Sequence, residues 1–381
     1  MVRILATGDF HLGKAISGAG KQSHVFREQL FRTAENIVNT IAPQNNSDLI
    51  VICGDLFDQH SAPWELIERT AEMLKKTEIP IHIIGGNHDP LEGSKETSLW
   101  KLDRLLKAES KVIIHKSREA YPINELGCTI YPGVLKSYCD NSDQVGWIPT
   151  KKKEDGFRIG LFHGSIRNYK NGTDEARMAN LKPTLAVDNE LDVALLGDWH
   201  QPKVEDGDSF YYPERKMWYT WAPEAQRLSD NRIGRVLICE LSEGAQPSIT
   251  PIEVGKNRFL NIEIEFDEST KEEILENLIE TLSQQLASHS EYNVVVRVIA
   301  SGWLSKSDYE RLENDISDIK SKFGDVLFKD KVSILAEDLN KSENIIHQIS
   351  ETIGNSNDSK EIKELATKLL HKFAKQELGG A

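Results

Sequence analysis

Residues 49–58 read Leu49-Ile50-Val51-Ile52-Cys53-Gly54-Asp55-Leu56-Phe57-Asp58: five apolar side chains in a row, then at once a glycine and two carboxylates. An unbroken apolar run of this length, rather than an alternating one, marks a strand buried on both faces. The acidic residues fall just past its carboxyl end. The same pattern recurs over the first 255 residues. Val2–Thr7 precedes Gly8-Asp9, residues 79–84 precede Gly85-Gly86-Asn87, residues 158–162 precede His163, and residues 191–196 precede Gly197-Asp198, with helical stretches between them. Such alternation predicts an α/β domain over residues 1–255, whose polar clusters lie outside the carboxyl ends of its strands, where open sheets place their sites.

The whole chain of 381 residues is long enough for more than one core, and 39% hydrophobic with 28% charged residues is a globular composition. No apolar run approaches the length of a membrane span, and the opening run stops at Gly8-Asp9, too early for a signal peptide. A cytoplasmic protein is expected. Cys53, Cys128, Cys139 and Cys239 are far apart and form no metal-type pair, so they read as reduced thiols. Lys plus Arg number 46 against 60 for Asp plus Glu, a net charge of -14. That is the wrong sign for gripping a nucleic acid by bulk field. Lys151-Lys152-Lys153 reads as a solvated loop.

Past Gly255 the pattern changes. An alternating strand over 259–266, a helix over 269–288 and a strand over 292–300 predict a small α+β cap, residues 256–332, with no polar cluster of its own. Residues 333–381 are expected to be helical. Ile345, Ile346, Ile349 and Ile353 form one apolar stripe, and after a break at 354–359, Ile362, Leu365, Ala366, Leu369, Leu370 and Phe373 form another. These stripes either fold onto the cap or dock a partner.

Five clusters carry chemistry: Asp9-Phe10-His11, Gly54 to Asp58, Gly86-Asn87-His88-Asp89, Phe162-His163-Gly164 and Gly197-Asp198-Trp199-His200. An Asp after a strand is commonly a turn former or helix cap, and a lone His is commonly structural. Five such clusters at five strand ends are another matter: carboxylates, imidazoles and one amide there are the ligand set for two divalent ions, with Mn, Fe or Zn suited better than Ca or Mg.

In this order the clusters resemble the signature of the calcineurin-like metallophosphoesterases. Gly8-Asp9-Phe10-His11-Leu12-Gly13 and Gly54-Asp55-Leu56-Phe57-Asp58, with the cap and helical tail, resemble more closely the SbcD-type nuclease subunit of DNA double-strand-break repair complexes. The resemblance implies a sandwich of mixed sheets flanked by helices. It implies that Asp9, His11 and His200 hold one metal, that Asn87, His163 and Asp198 hold the other, and that Asp55 bridges them, so that a shared water is deprotonated as the nucleophile. His88 would lie over the phosphate and protonate the leaving oxygen. Asp89 would orient His88, and Asp58 would either touch substrate or cap the following helix.

One departure stands out, since the family's last motif is usually Gly-His-x-His and here Asp198 takes the first histidine's place. A carboxylate there either binds the ion and favours harder metals, or fails to reach it. The resemblance further implies exonuclease action on duplex DNA ends and endonuclease action on single strands. It also implies an SMC-like coiled-coil ATPase partner and a homodimer, for which Phe26, Leu30 and Phe31 form either the dimer face or part of the core. A phosphodiesterase for small molecules or phosphoproteins would leave the last 120 or so residues unexplained. A catalytically weak DNA-end scaffold would have no use for His88.

Overall fold

The computed structural model describes residues 1–15, 23–91, 96–107, 111–138, 140, 142–152, 155–166, 181–201, 211–212, 215–230, 232–266, 271–287, 292–323, 326–334, 343–356 and 359–378. Cys139 and Lys153 lie outside them, as do the side chains of Ile345, Ile346 and Phe373. Two compact units divide the chain: Met1–Ile262 with Ser283–Val298 and Phe323–Leu327, and Glu263–Leu282 with Ile299–Lys322 and Phe328–Ala381.

The first unit holds two six-stranded mixed sheets. In one, β1 (Val2–Thr7), β2 (Leu49–Cys53), β3 (Ile81–Ile84) and β4 (Val112–Ile114) run parallel, while β11 (Arg235–Leu241) and β12 (Ser248–Glu253) add antiparallel on the β1 side. In the other, β6 (Cys128–Pro132), β7 (Phe157–His163), β8 (Val193–Gly197) and β10 (Met217–Tyr219) are parallel, edged by β5 (Tyr121–Ile123) and β9 (Tyr211–Tyr212).

The continuous apolar runs now have a cause. Side chains alternate across a strand, so Leu49, Val51 and Cys53 of β2 point between the two sheets, where they meet Ile130, Ile159, Leu161 and Leu195. Ile50 and Ile52 point the other way, onto helices α1 (Ser23–Asn36), α2 (Trp64–Lys75) and α3 (Ser98–Leu106). Tyr131, Phe162, Leu196 and Met217 cover the outer face of the second sheet, against Leu181 and Leu185. The central strands of each sheet are dry on both faces, so they cannot alternate polar with apolar. Phe26, Leu30 and Phe31 settle into the helix-side core at 0%, 1% and 4% exposure. Of the two readings of these three residues, core packing is the one the structure supports.

Residues 257–334 form a three-stranded sheet, β13 (Asn257–Phe266), β14 (Asn293–Leu304) and β15 (Val326–Ile334) in that order, with helices α4 (Lys271–Ala287) and α5 (Lys306–Phe323). The sequence pattern announces β13, α4 and β14, whereas α5 and β15 emerge only in the structure. Helices α6 (Glu343–Gly354) and α7 (Lys360–Leu378) follow and pack on each other. Their stripes leave Ile349, Ile362, Leu365 and Leu369 exposed at 41–60%. No helix among the described residues is long and apolar enough to cross a membrane.

A second buried histidine pair stands apart from the clusters. His82 on β3 and His115 just past β4 are 2% and 6% exposed, with His82 Nδ1 2.9 Å from His115 Nε2. Burial, reinforced by His115, pushes His82 down to about 3, and burial pushes His115 down to about 4. Both stay neutral in the folded state, so their contribution is complete above the unfolded value near 6.5 and is lost as pH falls toward the folded values. Urea unfolding is expected to lose several kcal/mol, to order of magnitude, between about pH 6.5 and 4. Replacing both with leucine should flatten that limb relative to the parent, and an unchanged slope would refute this assignment.

Candidate metal centre

Three of the clusters leave their strands through turns that few residues adopt. Among the described residues eight non-glycine positions have positive φ, and four of them are Asp9 (50°), His11 (46°), Asp55 (52°) and Asp198 (98°). Left-handed backbone at a residue with a Cβ costs about 1–3 kcal/mol and persists where the surroundings enforce it, which is most often at functional sites. Here the enforcement is visible. The Asp9 and His11 N–H groups donate to the carbonyls of Gly54 and Asp55 at 3.0 and 2.9 Å, lacing the β1 turn to the β2 turn. Gly86 must be glycine, because a Cβ there would collide with the Asp55 carboxylate.

The side chains converge on Asp55. Its Oδ2 lies 3.5 Å from His11 Nε2 and 3.5 Å from His163 Nε2, midway between two donor groups. On one side the donor atoms of Asp9, His11 and His200 all lie within 4.8 Å of one another, with the two imidazole Nε2 atoms 3.0 Å apart. On the other, Asp9, Asp55 and His163 form a similar group, and Asn87 Oδ1 sits 2.8 Å from His163 Nε2. The third group, His11, Asp58 and His88, stands beside the first.

These residues fit divalent ions on chemical grounds. His163 donates its Nδ1–H to the Cys53 carbonyl at 2.8 Å, so that in the neutral ring Nε2 is the lone pair. That lone pair faces the oxygens of Asn87 and Asp55, and three acceptors turned toward one point repel unless a cation stands among them. A histidine tied through one nitrogen to a backbone carbonyl and presenting the other is also the usual posture of a metal-ligating imidazole. Burial raises the pKa of Asp9 and Asp55 well above the carboxylate range, with like charge from their acidic neighbours adding to it. Burial pushes His11 and His200 well below the imidazole range. A bound cation reverses the acid half of this and is served by the neutral imidazoles as they stand.

His88 is set apart by its exposure, 32% of the side chain. Its backbone N–H donates to Asp55 Oδ1 at 2.8 Å, and its ring donates Nδ1–H to the Asp58 carbonyl oxygen at 2.8 Å. Nε2 is thereby freed to face outward. The structure gives Asp89 a different task from the expected one of orienting His88. Its buried carboxylate accepts N–H groups from Gly86 at 2.8 Å, Phe57 at 3.0 Å and Asp55 at 3.2 Å, clasping the β2 and β3 turns together. Asp89→Ala would orphan three buried donors and is expected to cost about 2–4 kcal/mol in urea unfolding. Stability equal to the parent would contradict this role.

Asp58 caps no helix, since Pro63 occupies the N-cap of α2. Its carboxylate lies 3.3 Å from both Lys14 Nζ and His11 Nδ1. Asp198 shares no donor group with the others among the described residues. Its Oδ2 accepts the Ser165 hydroxyl at 2.6 Å, Ser165 in turn accepts Trp199 Nε1–H at 3.0 Å, and the Asp198 N–H donates to both Asp9 oxygens at 3.1 Å. Ser165 is not foreseeable from the sequence, nor is Gln226, whose Nε2 donates to the Asp9 carbonyl at 2.6 Å. Ser165 borders the His163 cluster without any signal of its own, and no motif surrounds Gln226.

Residues 2–202 match the calcineurin-like phosphoesterase family model, and the chain belongs to that family of metal-dependent phosphoesterases. It is 26% identical over 290 residues to the DNA double-strand break repair protein Mre11 of Methanosarcina mazei, covering 74% of this chain and 43% of that protein. It is 35% identical over 106 residues to the SbcD component of the nuclease SbcCD from Staphylococcus epidermidis, covering 26% of each chain. With the same component from Bacillus subtilis the identity is 36% over 95 residues, covering 23% of this chain and 22% of that one. The chain spans less than half the length of the relatives it matches.

Proposed function

We propose that the chain is a two-metal DNA nuclease, exonucleolytic on duplex ends and endonucleolytic on single strands, working beside an SMC-like coiled-coil ATPase. The observation that carries the reading is the position of Asp55 Oδ2, equidistant from His11 and His163, with His88 exposed beside it. In this reading Asp9, His11 and His200 would hold one ion, Asn87, His163 and Asp198 the other, Asp55 would be shared between them, and Ser165 would orient the Asp198 carboxylate. Manganese suits the mixed oxygen and imidazole donors, with iron or zinc as substitutes. When bound, the ions supply an activated water and neutralise charge on the phosphoryl oxygens.

The chain's own groups do the rest. His88, its Nδ1–H held by the Asp58 carbonyl, aims Nε2 at the leaving oxygen and gives it a proton. Lys14 beside Asp58 places a cation at the edge of the site where a phosphate would enter. The relatives named as a DNA repair protein and as parts of a nuclease support DNA as the substrate. A net charge of -14 argues that a second protein supplies much of the affinity for DNA, and the exposed Ile349, Ile362, Leu365 and Leu369 on α6 and α7 offer that protein an apolar seat.

The test is cleavage of end-labelled duplex and single-stranded DNA with Mn, Mg, Fe or Zn, alone and with a candidate ATPase, beside a small phosphodiester. Cleavage of DNA with Mn supports the reading. Hydrolysis of the small ester with every DNA left intact, ATPase included, would replace it with a small-molecule phosphodiesterase.

A further inference from the structure

Just past β6, residues 133–138 form a loop that is unusually well tied for one carrying a solvent-facing aromatic. The Gly133 N–H donates to the Leu161 carbonyl at 2.7 Å, and Val134 and Leu135 are buried. Arg118 donates Nε–H to the Val134 carbonyl at 3.0 Å, Nη1–H to the Asp143 carbonyl at 2.8 Å and Nη2–H to Asp140 at 2.9 Å. Asp140 in turn accepts the N–H groups of Lys136 and Ser142, each at 2.9 Å.

On this braced frame Tyr138 stands 55% exposed. Its ring centroid lies 6.4 Å from that of His88, at 69° to it. Among the described residues no hydrogen bond engages its hydroxyl, and His88 is the ring it meets. A lone exposed aromatic needs no explanation. An exposed aromatic on a loop tied by a partly buried Arg–Asp brace, edge-on to the group that faces the leaving oxygen, does call for one. The brace orders the loop that carries the ring, which lowers the entropy cost of stacking a flat ligand on it.

We infer that Tyr138 is a base-stacking residue: it receives the nucleobase that flanks the scissile phosphate on the His88 side. This rests on the nuclease reading and adds the means by which the site prefers a nucleotide chain to a simple phosphodiester. Every base presents a π-face, so the preference is for nucleic acid over other esters, with little sequence bias. The tyrosine hydroxyl is not required, because stacking uses the ring.

A double-substitution cycle on the full-length protein with Mn separates the possibilities. One partner is the enzyme, wild type, Tyr138→Ala or Tyr138→Phe; the other is an oligonucleotide carrying either a normal or an abasic residue at the scissile position. Stacking of one base is typically lost at a cost of about tenfold to a hundredfold in kcat/KM. Tyr138→Ala should lower kcat/KM on normal DNA by that factor, and the abasic residue should lower the wild type by a similar factor. The two losses should not add, and Tyr138→Phe should stay within about twofold to threefold of wild type on normal DNA. A Tyr138→Ala loss that is equally large on abasic DNA, or no loss on normal DNA while wild type cleaves, overturns the stacking role and leaves the nuclease intact. No cleavage of any DNA by wild type removes both.

Discussion

Asp55→Asn is expected to lower DNA cleavage by about 10³-fold or more, roughly 4 kcal/mol of barrier, and to leave the protein unable to hold its ions together. The amide keeps the shape of the side chain, and its oxygen can still accept the His88 N–H that Oδ1 accepts now. What it removes is the single negative charge placed 3.5 Å from an imidazole of each donor group. The metal-free protein should respond with the opposite sign. Burial first, then the charges of Asp89 and Asp198, raise the Asp55 pKa, and Asp55 in turn raises that of Asp9.

A carboxyl raised in the folded state contributes stability that is complete below its unfolded value and is lost as pH rises through the folded one. In EDTA at pH 8, Asp55→Asn should therefore be more stable than wild type, and the difference should shrink as the pH is lowered. Excess Mn should invert the order. Wild type gains about 2.7 kcal/mol at a hundred times Kd, and the variant gains much less. Equal metal content in the two proteins, or a less stable variant in EDTA, would show that Asp55 is not the shared ligand.

How much of this could be seen in the letters alone depends on the kind of signal. Leu49–Cys53 is legible because its side chains fill two cores at once, which forces an unbroken apolar run and ends it abruptly at Gly54. The five polar clusters are legible for the same reason, since each begins where such a run stops. The strand expected from residue 79 starts instead at Ile81, after Pro80, a residue with no N–H to give to a ladder. Helix α5 is hard to read because its buried residues Leu312, Ile316 and Ile319 are sparse among charges. The pairing of β11 with β1 joins Leu241 to Val2, and no local pattern announces a partner so distant.

Within the site, the residues that supply donors were legible and the groups that aim them were not. His163 is oriented by the Cys53 carbonyl and His88 by the Asp58 carbonyl, and every residue in the chain carries a carbonyl. Asp89 reads as a catalytic partner of His88 because it is next to it in sequence, yet its carboxylate turns back to the N–H groups of Asp55, Phe57 and Gly86. Adjacency in the chain says little where the backbone turns sharply.

That division of labour makes His88→Leu the sharper test of chemistry, because it should cut DNA cleavage without touching the proposed ligands. The hydrogen bond from residue 88 to Asp55 Oδ1 is made by the backbone and survives any substitution there other than proline. Metal content is therefore expected to match wild type, and stability to fall by only about 1 kcal/mol, for the ring's lost bond to the Asp58 carbonyl. Loss of a general acid typically costs about 10²–10⁴-fold, and the loss depends on how badly the leaving group needs a proton. A deoxyribose alkoxide needs one; a p-nitrophenolate does not. DNA cleavage by His88→Leu should fall into that range while hydrolysis of a p-nitrophenyl phosphodiester falls by less than about tenfold. Equal losses on the two substrates would assign His88 to charge stabilisation on the phosphate, and a drop in bound metal would move it among the ligands, in either case removing it as the proton donor.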